Sequence, residues 1–329
     1  MTERLDVVGI GNAIVDVLSH ADDGLLTRHG LNKGAMTLID AERADLLYGV
    51  MGGAVEASGG SAANTMAGIA SLGGRGAFIG KVADDQLGAI FRHDIRAVGT
   101  GFATPSSDAG APTARCLIFV TPDAQRTMNT YLGACLELGP EDVDPGLVER
   151  ARVTYLEGYL WDPPRAKEAF VKAAALAHAA GNRVALTLSD SFCVARHRDE
   201  FLTLVDEHVD ILFANEAEIC ALWQVADFDA ALQATRGRCA IAALTRSDKG
   251  SLVLAGDELH VIDAAPIERL IDTTGAGDQY AAGFLHGYCQ GFDLARCGRI
   301  ASLAAAEVLQ HFGARPETPL RDLVRARLA

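Results

Sequence analysis

The sequence predicts an α/β protein: a doubly wound, mostly parallel sheet flanked by helices, with a small β-rich lid. Three observations carry this prediction. From about Arg152 onward, short apolar runs alternate with amphipathic stretches, the rhythm of successive strand–helix units. The 329 residues are 49% hydrophobic and 22% charged, ample for the core of one such domain. Two stretches, about 16–58 and 101–132, carry strand-like pieces without intervening helices, as insertions forming a lid would. A single domain over residues 1–329 is therefore expected.

The elements follow in order. "LDVVGIGN" reads as a buried strand ending in a glycine turn. "SAANTMAGIASLGG" has a Ser cap, small residues at helical spacing and a glycine stop. "GAFIGKV" is a strand and "DDQLGAIFRHDIRAVG" an amphipathic helix with an acidic first turn. "TARCLIFVT" and "QRTMNTYL" form two strands joined by a Pro-Asp turn. "RVTYLEG" then precedes a helix opening at Pro163-Pro164 and running to about Ala180. "RVALTLS" precedes a helix near Arg196 to Glu207, and "VDILFA" a short one, "NEAEICALW". "CAIAALT" leads into a hairpin, "GSLVLAGDELHVIDA". Two helices close the chain, Ala276 to about Gly291 and Leu294 to about Phe312. In sheets wound this way, ligands bind beyond the carboxyl ends of the strands.

Composition narrows the function. The formal net charge is −14 and Lys and Arg nowhere cluster, which argues against a nucleic-acid partner. An anionic substrate would have to be held by local amides or single arginines, because the overall field repels it. The seven cysteines form no C-x-x-C pair and have no His-rich partner, so reduced thiols are expected rather than a zinc site or disulfides. The N-terminus is charged at once, and no apolar run approaches a membrane span. A soluble cytoplasmic protein is the expectation.

One stretch carries chemistry: "DTTGAGDQYAAGFLHG", Asp272 to Gly287. Gly275, Ala276 and Gly277 precede a helix with Tyr280, Phe284, Leu285 and Tyr288 at helical spacing. Free N–H groups and the positive dipole end make a helix start an anion site, and small residues let a phosphate approach. Asp278, in the first turn, could then accept a proton from an attacking hydroxyl. From these residues alone, a capped helix whose acid complements the dipole explains the stretch equally well. No G-x-x-x-x-G-K-[ST] occurs, and "GIGNAI" has Ile14 where a dinucleotide fingerprint needs its third glycine.

The whole chain from Val7 to about Pro316 resembles the ribokinase/phosphofructokinase-B family of small-molecule kinases. The resemblance rests on "DTTGAGDQYAAGFL", "ASGGSAANTMAGIASLGG", "GKVADDQLG" and "NEAEI", in family order. It implies a ribokinase-like fold, with Asp278 as catalytic base and Gly275, Ala276 and Gly277 as the anion hole. Asp16 would hold two substrate hydroxyls, with Gly59, Gly60 and Asn64 contacting the same substrate. Asn215 and Glu218 match the motif that organises Mg²⁺ through water around the nucleotide phosphates. Thr245 and Gly250 match a nucleotide-binding turn in which the family usually has glycine where Ser247 stands. Asp272 and Thr274 match a monovalent-cation site, K⁺ in some members. Taken singly, Asp16 also reads as a turn former and Asn215 with Glu218 as a helix capping box.

The substrate signal lies in the lid. "LLTRHGLNKGAMTLIDAERADLLY" is similar to the adenosine kinase branch, with Met36 and Leu38 at purine-contacting positions. Arg126, in "QRTMNTYLGAC", matches an arginine that meets the transferred phosphate, a cation that completes an electrostatic clamp on closure. "AAEVLQHFGARPE" also reads like bacterial members of that branch. Tyr159 stands near a position where the branch stacks the purine on an aromatic, with Leu160 and Trp161 as adjacent candidates; an aromatic at a strand end is also commonly core. The expected reaction is ATP-dependent phosphorylation of a nucleoside 5′-hydroxyl, adenosine first. A free sugar such as ribose or fructose is the alternative, and a non-catalytic nucleotide binder the third reading.

Overall fold

The computed structural model describes residues 3–123 and 125–328. Its centre is a nine-stranded sheet. In chain order the fourteen strands are β1 (Leu5–Ile10), β2 (Ile14–His20), β3 (Met36–Leu38), β4 (Ala54–Gly59), β5 (Gly76–Ile79), β6 (Gly101–Phe102), β7 (Ala114–Val120), β8 (Arg126–Tyr131), β9 (Ala151–Glu157), β10 (Arg183–Thr187), β11 (Ile211–Asn215), β12 (Ile241–Thr245), β13 (Ser251–Ala255) and β14 (Glu258–Ile262). The large sheet runs β14-β13-β12-β11-β10-β9-β1-β5-β6, parallel from β12 to β6, with β13 and β14 added as an antiparallel hairpin. Two apolar layers cover its faces: one holds the helices Ser61–Ser71 and Ala276–Cys289, the other the helix Pro164–Ala179 and those that follow β10 and β11. Burial on both faces explains why its strands read as near-continuous apolar runs.

The second sheet has five strands in the order β3-β8-β7-β2-β4. Both stretches expected in the lid contribute to it, with two differences. Gly101 and Phe102 pair with Ala77 and Phe78 at the edge of the large sheet instead. The first stretch also contains helices, Asp23–Arg28 and Ala41–Val50, whose N-caps Asp22 and Asp40 accept the amides of Leu25 and Arg43. Their Leu26, Ala44 and Leu47 are buried against Val15, Val17, Leu117 and Phe119 on one face of the small sheet. The opposite face carries neither of these helices and is open at Met36 and Leu38, while Cys116, Ile118 and Thr130 on it are buried.

Elsewhere the expected elements are present, with three refinements. The helix expected near 196–207 is two, Ser191–Arg196 and Arg198–His208, broken at His197, whose ring is pinned to Asp162 at 2.5 Å. The helices Phe228–Thr235 and Leu320–Leu328 were not anticipated. Between the helix Leu294–Val308 and the last one, residues 311–316 form a strap that crosses the carboxyl end of the sheet. Among the described residues no helix is long and apolar enough to cross a membrane.

Candidate active site

The parallel strands bring their carboxyl ends to one edge, and most of the singled-out residues stand there. Gly275 caps the helix Ala276–Cys289 with φ of 79°, a left-handed conformation that favours glycine. A Cβ there would also meet the Ala314 backbone at 2.5 Å, so the strap holds this turn closed from behind. Gly277 differs: a Cβ on it would meet nothing within 4 Å. The protein leaves that space free, as a cradle for an incoming group would require. Ala276 N donates to Thr273 O at 3.3 Å, whereas the amides of Gly277 and Asp278 take no acceptor among the described residues. The amide of Gly275 is likewise without an acceptor, so of the three expected positions only Ala276 is paired, and Asp278 adds a further open amide.

Asp278 is held from the neighbouring helix Ser61–Ser71. Ser61 Oγ donates to Asp278 Oδ1 at 2.6 Å and Asn64 Nδ2 donates to Oδ2 at 3.2 Å. Part of the carboxyl still faces the cleft, but the crowding of protein atoms around it pushes its pKa up to about 6. The two hydrogen bonds and Arg315 oppose that rise. A carboxylate poised near 6 is ionised at neutral pH yet basic enough to take a proton.

Asp16, on β2, makes no hydrogen bond with the described residues, which leaves both oxygens available as acceptors. Burial raises it to about 6, Arg315 and Arg126 lower it, and Asp278 raises it. Gly59 lies directly against it, since a Cβ there would come within 2.5 Å of Asp16 Oδ2. Gly60 has φ of 96° and would press a Cβ to 2.1 Å from Asn12 O. The glycine pair thus lets β4 close on Asp16 and turn straight into the helix carrying Asn64.

Strand register settles where the lid residues stand. Leu38 is opposite Thr130, Thr130 opposite Cys116, and Cys116 opposite Asp16, a single row across the small sheet. Opposed residues share a face, and so do alternate ones. Met36, Leu38, Asp16 and Arg126 therefore all lie on the open face. Met36 and Leu38 are about half exposed, at 46% and 52%. Arg126 reaches from β8 to the large sheet's edge, where Nη1 pairs with Asp272 Oδ2 at 2.6 Å and donates to Thr274 Oγ1 at 3.0 Å. Asp272 and Thr274 are thus brought together as expected, but the cation they hold here is the Arg126 guanidinium. Asp272 Oδ1 is further taken by Thr274 N and Oγ1, and Oδ2 by Gly313 N.

Asn215 and Glu218 form a reciprocal capping box. Asn215 Oδ1 accepts from Glu218 N at 2.9 Å, while Glu218 accepts from Asn215 N at 2.9 Å and from Nδ2 at 2.6 Å. Burial pushes Glu218 up to about 7. Thr245 is opposite Asn215 across β11 and β12, so these two motifs adjoin. Ser247, where the family has glycine, holds φ of 53°, so the turn keeps its left-handed residue despite the side chain. Gly250, at φ of 77°, abuts Ile262 O. Past that contact a groove of about 820 Å³ opens between Ile262–Pro266 and the face of Ser302, Ala306 and Gln310; it contains neither Asp16 nor Asp278.

Tyr159 stands on the turn after β9, 37% exposed, its N–H on Ser189 Oγ. Burial raises its pKa, and the acids that add to this are Asp190 and Glu218 before Asp278, with Asp16 not among them. Leu160 and Trp161 are core: Trp161 stacks on Phe201 at 5.7 Å.

Two residues of this region escaped the sequence reading. Glu157, at the end of β9, accepts Ala62 N at 2.8 Å and Asn12 Nδ2 at 2.7 Å, capping the helix that carries Ser61 and Asn64. Arg315, on the strap, donates from Nε to Asn64 Oδ1 at 3.2 Å and from Nη1 to Ser58 Oγ at 2.6 Å. Neither lies in a glycine-rich or periodic motif; only the Gly-Ala-Arg-Pro turn around Arg315 hinted at a special segment.

A carboxylate at a helix start with open amides beside it, and a second carboxylate with no hydrogen-bond partner on the small sheet, suit, on this fold, a phosphotransferase with an alcohol acceptor. The chain belongs to the pfkB family of carbohydrate kinases, whose model matches residues 40–321. Among solved structures it is similar to adenosine kinase from Sinorhizobium meliloti (56% identity, TM-score 0.91, covering 98% of this chain and 99% of that one). It is equally similar to a probable sugar kinase from Rhizobium etli CFN 42 (54%, 0.92, covering 99% of each). A nucleoside kinase of Methanocaldococcus jannaschii is 28% identical over 273 residues, 82% of this chain and 85% of that protein. The chain is a sugar or nucleoside kinase of this family, acting on a small molecule with ATP.

Proposed function

We propose that the enzyme phosphorylates the 5′-hydroxyl of a nucleoside, adenosine first. The observation that carries this reading is the row on the open face of the small sheet. Asp16 offers two free acceptors to a ribose, and apolar Met36 and Leu38 continue the same face, where a flat base gains most from burial. The 56% identity to the adenosine kinase of Sinorhizobium meliloti supports it. The site residues then act as follows. Asp16 holds two ribose hydroxyls, with Gly59, Gly60 and Asn64 around them. Asp278 takes the proton of the 5′-hydroxyl as its oxygen bonds to the γ-phosphorus and the bond to the ADP oxygen breaks. The amides of Gly277 and Asp278, joined by Arg126, stabilise the charge that develops. Movement of the small sheet over the cleft would exclude water, a competing acceptor.

The nucleotide phosphates lie toward Asn215, Thr245 and Gly250, with the base in the groove beyond Ile262. Among the described residues no three His, Cys, Asp or Glu side chains form a metal cage. That fits Mg²⁺ carried mainly by phosphates and water, with Glu218 as the nearby acid, because this ion commonly uses few protein ligands. When bound, it would neutralise charge on the nucleotide phosphates. K⁺ at Asp272 and Thr274 would have to displace Arg126, so activation by K⁺ over Na⁺ is a readout of that displacement.

The test is coupled ADP release with adenosine, other nucleosides, ribose, ribose 1-phosphate and fructose. Adenosine is expected to show the highest kcat/KM. A free sugar preferred over every nucleoside would overturn the nucleoside reading and establish the sugar kinase alternative.

A further inference from the structure

We infer that Arg315 is a positioning residue that sets the orientation of the Asn64 amide on Asp278 and ties the strap to the small sheet through Ser58. The inference rests on the reading of Asp278 as the base.

The geometry is a chain of directed contacts. Arg315 has no acceptor, so its Nε can only donate to Asn64, and the atom it meets must be the amide oxygen. With the oxygen so occupied, the amide's NH₂ faces Asp278 Oδ2. Without Arg315 nothing else described holds the Asn64 oxygen, and the amide could turn and present oxygen to a carboxylate. On the other branch, Nη1 donates to Ser58 Oγ, and Ser58 N donates to Asp94 Oδ2 at 3.1 Å. Ser58 precedes the Gly59-Gly60 pair that borders Asp16. One guanidinium therefore links the strap, the helix bearing Asn64 and the strand bordering the substrate acid, contacts that a planar fork suits and an ammonium cannot reproduce. Its Nη2 is buried without a partner, an unusual cost for a residue that only packs.

The charges around the base come from every neighbouring element. Asp16 acts on it from the small sheet, Tyr155 and Glu157 from β9, Tyr159 from the turn after it, and Arg315 from the strap, while Arg126 acts on Asp16. Asp94 is the remaining acid that acts on Arg315. Arg315 lowers both Asp16 and Asp278 and meets no compensating acid in direct contact. Removing it leaves two buried carboxylates with Arg126 as the nearest cation to Asp16 alone. Protonation of the base then sets in at higher pH.

Three variants test this against Asp278→Asn. Arg315→Met is expected to lower kcat by about 10²-fold, the scale of a small misplacement of a catalytic group, with little change in KM for ATP. Its acid limb in kcat/KM should move upward from a wild-type limb near 6. Arg315→Lys should keep the limb near its wild-type position yet still lose rate, because charge returns and the two directed contacts do not. Asn64→Ala combined with Arg315→Met should lose little beyond either single variant, since both act on one hydrogen bond. An Arg315→Met enzyme with wild-type kcat and acid limb would overturn the inference. So would an Arg315→Lys enzyme of wild-type rate, which carries the test should the Met variant not fold. If Asp278→Asn itself turns over normally, the base assignment fails whatever Arg315 does. An inactive Asp278→Asn beside an unaffected Arg315→Met removes only the inference.

Discussion

At the scale of single residues, the glycines before Asp278 separate into two jobs that the sequence presents as one. Gly275→Ala places a side chain at φ of 79° and against Ala314, so it should destabilise the fold by about 1–3 kcal/mol, read by urea denaturation. In Gly277→Val the added Cβ meets no protein atom within 4 Å, so the variant should melt close to the wild type while its KM for ATP rises and kcat falls. Wild-type kinetics in Gly277→Val would mean that no phosphate uses that space. Asp278→Asn should lose a factor of about 10² to 10⁴ in kcat while binding ATP almost unchanged, measured by steady-state turnover and calorimetric titration. The glycines and the acid were legible because they stand in adjacent positions, the pattern that phosphate chemistry would demand. Arg315 and Glu157 were not, because their partners lie 251 and 95 residues away in the chain.

At the scale of elements, the capping box at the start of the helix Glu216–Trp223 shows how one pair can serve two ends. Both readings of Asn215 and Glu218 remain compatible, since a helix N-terminus that caps itself still points its dipole at the nucleotide side. Asn215→Ala removes the cap and should cost about 1–2 kcal/mol. Asn215→Ser restores an oxygen for Glu218 N and should recover most of that stability. If Asn215→Ser also recovers turnover, the cap is what activity needs; stability without turnover points to the amide itself. The two lid helices were missed although Asp22 and Asp40 are good caps, because the helices are short and bury only one or two side chains each. The helix expected near 196–207 was read as continuous because its periodicity is, and its break depends on Asp162, far off in sequence.

At the scale of the whole molecule, four acids from both sheets and two helices are held above their ordinary pKa: Asp16 and Asp278 at about 6, Glu157 and Glu218 at about 7. Each has a folded pKa above its unfolded one, so the folded state binds more protons between the two. Their contribution to stability is therefore greatest at low pH and is lost as pH rises through that window. The stability of Asp278→Asn relative to wild type should accordingly increase between about pH 4 and pH 6 and then level off, followed by denaturant midpoints across that range. A constant difference would mean that Asp278 is not held above its ordinary pKa. The sequence by itself determined the alternating core, the carboxyl-edge location of the candidate site and the acid behind small residues at a helix start. These follow from local periodicity and from chemistry packed into short motifs. Only the tertiary structure decided that Met36, Leu38, Asp16 and Arg126 share one face, that Arg126 occupies Asp272 and Thr274, and that Arg315 reaches the base through Asn64. Strand register and chain crossing are long-range properties, set by how the two sheets bury their apolar faces rather than by any stretch read alone.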